Sequence, residues 1–189
     1  MAGFVAVYDA CVLYPAPLRD LLMHLALSGL YRARWSKRIH QEWMTALLRQ
    51  RPDLQPADLE WTRQQMDAAV PDALVEGYQS LEASLQLPDP DDRHVLAAAI
   101  MCGAGAIVTY NLKDFPESAL AAYGLAAQHQ DEFIGHAFDL DPAAVCKAVR
   151  DQRASLRNPP RSVEELFDAY LHQGLATTVS ALRGHAGLL

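Results

Sequence analysis

Cysteine is scarce in this chain: Cys11, Cys102 and Cys146 are three residues, far apart and odd in number. They match neither a disulfide framework nor a zinc knuckle, so reduced core thiols are expected. Long apolar runs are missing too. The longest weakly polar stretch, Val95 to Val108, is interrupted by Gly103 and Gly105 and falls short of the roughly 20 residues that a membrane-spanning helix needs. The opening MAGFVAVYDACVLYP lacks a basic leader and holds Asp9 inside its apolar stretch, which is not the pattern of a signal peptide. The expectation is a cytoplasmic protein with no membrane partner. Positive charge is in deficit, with a formal net charge of -7. That argues against loose, charge-driven nucleic-acid binding, which needs cations to replace phosphate counterions. A nucleic-acid enzyme with this balance must recruit metal ions or present local basic patches. No Gly-rich phosphate loop is found, and no Ser/His/Asp or Cys/His order can be defended.

What is present is a globular composition: 189 residues with 51% hydrophobic content suit one ordinary domain with an appendage. Phe4 to Tyr8 is a short apolar, partly β-branched run ending in Asp9, as expected of a buried strand with a polar residue at its C-terminal end. Leu18, Leu21, Leu22 and Leu25 lie at helical spacing in a segment that stops near Gly29. Ser36 suits the N-cap of a helix from Lys37 to about Arg49. Two further helices are expected over Ala57 to Ala69 and Asp72 to Ser84, bounded by Pro56 and Pro71.

Asp89 can cap the next helix, Pro90 suits its first position, and Asp91 and Asp92 occupy its first turn; it should run to Gly103. Ala106 to Tyr110 reads as a second buried strand, followed by the polar loop Asn111-Leu112-Lys113-Asp114-Phe115-Pro116. Strands alternating with helices indicate an α/β fold with a parallel sheet, in which ligands gather at the carboxyl ends of the strands. Beyond residue 138 the strand signals fade. Helices are expected over Pro142 to Arg157, Val163 to His172 and Leu175 to Arg183.

Asp9 and Asp114 both follow strands, Glu42 lies on the Ser36-capped helix, and Asp92 opens the Val-Leu-Ala-Ala-Ala helix. Acids gathered this way fit phosphodiester hydrolysis, since Mg²⁺ or Mn²⁺ prefers oxygen ligands, lowers the pKa of bound water and neutralises phosphate charge. Bland readings stand beside this one. Asp9 can be a solvated strand-end acid, Glu42 a surface glutamate, Asp92 a capping residue and Asp114 a turn residue. The helix phase favours Asp92 over Asp91 as a ligand, with Asp91 the alternative.

The segments VYDACVLYP, IHQEW, DPDDRHVLAAA and IVTYNLKDFP, in that order, resemble PIN domains, especially the bacterial VapC-like toxin ribonucleases. The resemblance covers roughly residues 3 to 137. It implies a three-layer α/β/α fold with a central parallel sheet over residues 1–137, a helical C-terminal extension over 138–189, and Mg²⁺- or Mn²⁺-dependent endoribonuclease activity. By motif position Asp9, Glu42, Asp92 and Asp114 correspond to the family's acidic, metal-binding and catalytic residues, and Thr109 and Asn111 to the polar positions supporting the last of them. An RNA substrate, a homodimer, and the role of toxin in a type II toxin-antitoxin pair are also implied. The cognate antitoxin would block the pocket.

The competing function is a non-catalytic RNA-binding or protein-interaction module that retains the fold. A phosphatase of the haloacid-dehalogenase type would need Asp-x-Asp after the first strand, where this chain has Asp9-Ala10-Cys11. His40-Gln41-Glu42 mimics half of a zinc deaminase motif, but the Pro-Cys-x-x-Cys half is absent. His94, two residues after Asp92, is expected at the surface, with the pocket rim as the alternative. Two arginine-rich groups, Arg32/Arg34/Lys37/Arg38 and Arg150/Arg153/Arg157/Arg161, are candidates for tracking an RNA backbone or plain solvated faces.

Overall fold

In the computed structural model, which describes residues 3–189, the apolar run Val5–Tyr8 forms strand β1. It is flanked on both sides by parallel partners: β2 (Arg32–Arg34) on one and β3 (Ala106–Val108) on the other. A fourth strand, β4 (Ala126–Gln128), pairs in parallel with β3, so the order among the described residues is β2-β1-β3-β4. Ala6, Val7, Tyr8, Ile107 and Val108 are fully buried, as the central strands of a parallel sheet require.

The chain divides into two compact units. The sheet belongs to the first, which comprises the residues up to Tyr14 together with Tyr31–His129. Its helices are α1 (Ala10–Leu13), α3 (Lys37–Gln50), α4 (Pro56–Ala69), α5 (Gln79–Glu82), α6 (Arg93–Met101) and α7 (Glu117–Leu120). The second unit comprises Pro15–Leu30 and Gln130–Leu189. It contains α2 (Ala16–Ala26), α8 (Gln130–Leu140), α9 (Pro142–Ser155), α10 (Val163–His172) and α11 (Ala176–Arg183).

Local chemistry accounts for several boundaries. Ser36 caps α3, its side chain accepting from Ile39 N–H at 3.2 Å. Asp89 accepts from Asp91 N–H at 2.9 Å and opens a 3₁₀ turn, Pro90–Asp92, that leads into α6. Such a cap contributes about 1 kcal/mol. Helix α6 packs on β1 and β3, and its Val95-Leu96-Ala97-Ala98-Ala99 run is fully buried, the small alanines allowing close approach to the sheet. Within the helical unit α2 packs on α9 through Leu18, Leu21, Leu22 and Leu25, and α8 packs on α11. There Gln152 spans two partners, donating to Pro17 O at 3.0 Å and accepting from the Tyr170 hydroxyl.

One expected helix does not form. Asp72 to Ser84 is helical only over the single turn of α5. Its first half lies extended beside Trp35: Trp35 N–H donates to Ala73 O at 3.0 Å and Val75 N–H to Trp35 O at 2.8 Å, a parallel bridge. Ala73 and Val75 are buried with Leu74 between them half-buried, a two-residue alternation that satisfies the backbone beyond the end of β2. Gly77, at φ +76°, then turns the chain in a conformation that no helix interior accommodates. The three cysteines are free, with Cys146 buried in the core and Cys11 and Cys102 only half-buried, and no helix among the described residues is long and apolar enough to cross a membrane.

Candidate active site

Parallel pairing of β1 with β3 puts the residues that follow them side by side at the carboxyl edge of the sheet. Asp9 is anchored there by its own backbone, N–H to Val108 O at 3.1 Å, and is only 5% exposed. Its Oδ1 accepts from Ala10 N–H at 2.6 Å, capping α1. Its Oδ2 accepts from the Thr109 hydroxyl at 2.7 Å and from the Cys11 thiol at 3.0 Å. A carboxylate oxygen offers about two lone pairs. Oδ2 is therefore fully used by these two donors, and the remaining acceptor capacity of Asp9 is on Oδ1.

Thr109, fully buried, is itself held by Asn111 N–H, which donates to its hydroxyl oxygen at 2.9 Å. The resemblance implied that Thr109 and Asn111 support Asp114; the Thr109 hydroxyl instead donates to Asp9, and Asn111 acts through its backbone, its carbonyl accepting from Asp114 N–H at 2.9 Å, with its side chain exposed. Cys11 is a partner that sequence reasoning missed. Burial first, then the neighbouring Asp9 charge, pushes its thiol far above the ordinary range, so it stays protonated and donates. Tyr110 N–H closes the ring by donating to Cys11 Sγ at 3.3 Å. Only its position two residues after Asp9 could have flagged it.

The other acids are connected to Asp9 electrostatically. Burial raises the Asp9 carboxyl, against the hydrogen bonds from Cys11, Thr109 and Ala10, and the charge of Glu42 adds to the rise. Asp92 is pushed up to about 7, by burial first and then by repulsion from Asp9, Asp89 and Asp114. Glu42, Asp9, Asp92, Asp89 and Asp114 are thus electrostatically linked, with Asp9 and Asp92 shared between the pairs. Among the described residues, no three His, Cys, Asp or Glu side chains are drawn together tightly enough to hold a metal ion as they stand. The donor chemistry nonetheless fits a hard divalent cation: oxygen ligands that repel one another.

Glu42 is on α3, half-buried, with Arg38 Nε at 3.5 Å and His94 Nε2 at 2.8 Å from its Oε1. The expectation that His94 is a surface residue is wrong. It is fully buried, because α6 turns this position inward where its Val95-Leu96 neighbours also pack. Arg38 reaches further, donating to Glu82 Oε2 at 3.1 Å and to Asp91 O at 3.3 Å. Arg38, Gln41, Glu42, Thr45, Ala46 and Arg49 line an open depression of about 370 Å³ along α3.

The first basic group of the sequence is largely engaged with acids. Arg32 lies 3.8 Å from Asp72, Lys37 3.2 Å from Glu76, and Arg38 is held as above. In the helical unit Arg153 donates to Leu189 O at 3.2 Å.

Residues 5–113 match the family described as PIN domain, and residues 130–184 match that described as VapC50 C-terminal domain. The first match spans more than half of the chain, and the chain belongs to the PIN-domain family. Its architecture is accordingly the α/β type with a central parallel sheet, followed by C-terminal helices. A curated protein of Mycobacterium tuberculosis (strain ATCC 25618 / H37Rv), named "Putative ribonuclease VapC50", is 39% identical over 93 residues, which is 49% of this chain and 54% of that protein. The chain thus matches about half the length of this curated relative. No solved structure matches the chain.

Proposed function

We propose that this chain is a Mg²⁺- or Mn²⁺-dependent endoribonuclease, with Asp9, Glu42, Asp92 and Asp114 as its metal-binding and catalytic carboxylates. The observation that carries this reading is the Asp92 carboxyl, pushed up to about 7 by burial first and then by repulsion from Asp9, Asp89 and Asp114, in a member of the PIN-domain family. Acids that repel one another beside the carboxyl edge of a sheet, with Arg38 as a counter-charge to Glu42 alone among them, are arranged for a cation. Resemblance to a protein named as a ribonuclease supports the same activity.

The ion, when bound, supplies neutralisation of phosphate charge and activation of water. The protein's part is positional. Thr109 and Cys11 spend their protons on Asp9 Oδ2, which leaves Oδ1 facing its remaining task in one orientation. Thr109 cannot turn away, because Asn111 N–H holds its oxygen. The depression along α3, which Glu42 shares with Arg38 and Arg49, offers a path on which an RNA phosphate meets guanidinium groups beside the acids.

The chemistry belongs, in this reading, to a nuclease domain of residues 1–137, with residues 138–189 as a helical C-terminal extension. We assign the protein the role of toxin in a type II toxin-antitoxin pair, acting in the cytoplasm as a homodimer and blocked by a cognate antitoxin. The test is cleavage of total RNA with Mg²⁺ or Mn²⁺, with and without chelator, by the wild type and Asp9→Asn. Cleavage should fall on the order of 100-fold or more in the variant and with chelator. Equal cleavage by Asp9→Asn, or none by either protein, overturns the assignment. Full activity with the antitoxin bound would overturn the blocking role.

A further inference from the structure

His94 is a buried polar group that the arrangement above leaves unexplained. Its side chain is 0% exposed, and neither ring nitrogen makes a hydrogen bond among the described residues. Buried polar atoms are nearly always paired, and an exception signals a function or a partner not in place. The nearest acceptor is Glu42 Oε1, 2.8 Å from Nε2, close enough for a hydrogen bond but not aligned for one.

Glu42 lies between two neighbours with unequal alternatives. Arg38, 3.5 Å from Oε1, also donates to Glu82 and to Asp91 O, so it can release Glu42 and remain satisfied. His94 has no other hydrogen-bonding partner. It is also carried on the same helix that presents Asp92 at its start, so its ring is fixed relative to a second acid of the group.

We propose that His94 is a positioning residue for Glu42: a small rotation of the carboxylate lets Nε2–H donate to Oε1, holding Glu42 toward the other acids when a divalent ion is bound. This rests on the reading of Glu42 as a metal-binding carboxylate. It adds a nitrogen donor, supplied from α6, to a site otherwise built of acids. Ring burial fixes the direction of the donated proton, which a solvent-exposed residue could not do.

The test is Mn²⁺ binding by titration calorimetry, with unfolding midpoints to confirm folding. Glutamine places an amide near the Nε2 position and asparagine does not. His94→Gln should therefore bind Mn²⁺ nearly as the wild type does, whereas His94→Asn and His94→Leu should bind about 10-fold more weakly. In a Glu42→Gln background the loss caused by His94→Asn should disappear, since there is no carboxylate left to hold. Equal affinities for the Gln and Asn variants, the same loss with and without Glu42, or no Mn²⁺ binding by the wild type overturns the proposal. RNA cleavage is scored separately. Mn²⁺ binding that follows this pattern in a protein that cleaves no RNA sustains the role of His94 and removes the nuclease.

Discussion

Thr109 donates its hydroxyl proton to Asp9 Oδ2 at 2.7 Å, joining the ends of two adjacent strands whose residues are far apart in sequence. The bond is buried, and its acceptor is the acid at the centre of the group. Thr109→Val should cost roughly 1.5–3 kcal/mol, the range for a hydrogen bond to a charged group, and should reduce Mn²⁺-dependent cleavage; Thr109→Ser should retain both. Urea unfolding together with initial rates reads the two effects. A valine variant as active and stable as the serine variant would show that the hydroxyl does not hold Asp9.

Asp92 makes stability depend on pH. Its carboxyl is raised from an ordinary 3.8 to about 7, so between these values the folded chain binds more protons than the unfolded one. The contribution is fully present below 3.8 and is lost as pH rises through about 7. Asp92→Asn removes that loss, so in metal-free buffer its unfolding midpoint should gain on the wild type progressively from pH 4 to 8. A midpoint difference independent of pH would refute the raised Asp92 carboxyl on which the site assignment rests.

Metal should reverse the same trend. A carboxyl that must ionise to bind a cation gives an affinity that rises with pH up to its pKa. Mn²⁺ affinity should climb by at most about tenfold per pH unit below 7 and level off above it. Calorimetric titrations across this range provide the check, and a flat profile would exclude Asp92 as the limiting group.

A separate buried network fixes α3 to α4. Asp67 Oδ1 accepts from Trp35 Nε1 at 2.9 Å and from His40 Nε2 at 3.0 Å, while Arg63 donates to Oδ2 at 2.6 Å. Trp43 Nε1 donates to His40 Nδ1 at 3.0 Å, which requires the His40 proton to be on Nε2. Burial lowers the His40 pKa and keeps the ring neutral in this role. Asp67→Ala strands two buried donors and should cost about 2–4 kcal/mol, with the cleavage rate of the folded enzyme little changed. Denaturant midpoints and rates together decide it: a marked rate loss without a stability loss would place this network in the chemistry.

In the helical unit α11 has no cap of its own, and Asp131 supplies one from α8. Its carboxylate accepts from Thr177 N–H and Thr178 N–H, both at 2.8 Å, and from the Thr178 hydroxyl at 2.7 Å. Burial works to raise this carboxyl, but the hydrogen bonds outweigh it and the net shift is downward. Its stabilisation is therefore present above 3.8 and lost as pH falls through the lower folded value. Asp131→Ala should cost about 1–2 kcal/mol at pH 7. The cost should shrink in acid, as thermal unfolding at pH 7 and pH 3 will show.

Local chemistry determined a good part of this protein from sequence alone. The apolar run ending at Asp9, the Ser36 and Asp89 caps and the helix begun at Pro56 each depend on residues within one or two turns of each other. The order of the four acidic motifs is equally local, and it pointed to the family that the chain is shown to belong to. Strands β2 and β4 were not legible, because Arg32-Ala33-Arg34 reads as a charged loop and Ala126-Ala127-Gln128 has no β-branched apolar run of the kind that marks β3. Asp72 to Ser84 has helix-compatible spacing, and only the free backbone of Trp35 beside it decides for an extended path. Tertiary structure alone decided that Thr109 and Cys11 share Asp9 Oδ2, and that His94 is sealed inside against Glu42. Those contacts join segments distant in the chain, and burial depends on which surfaces meet, a quantity that no local pattern contains.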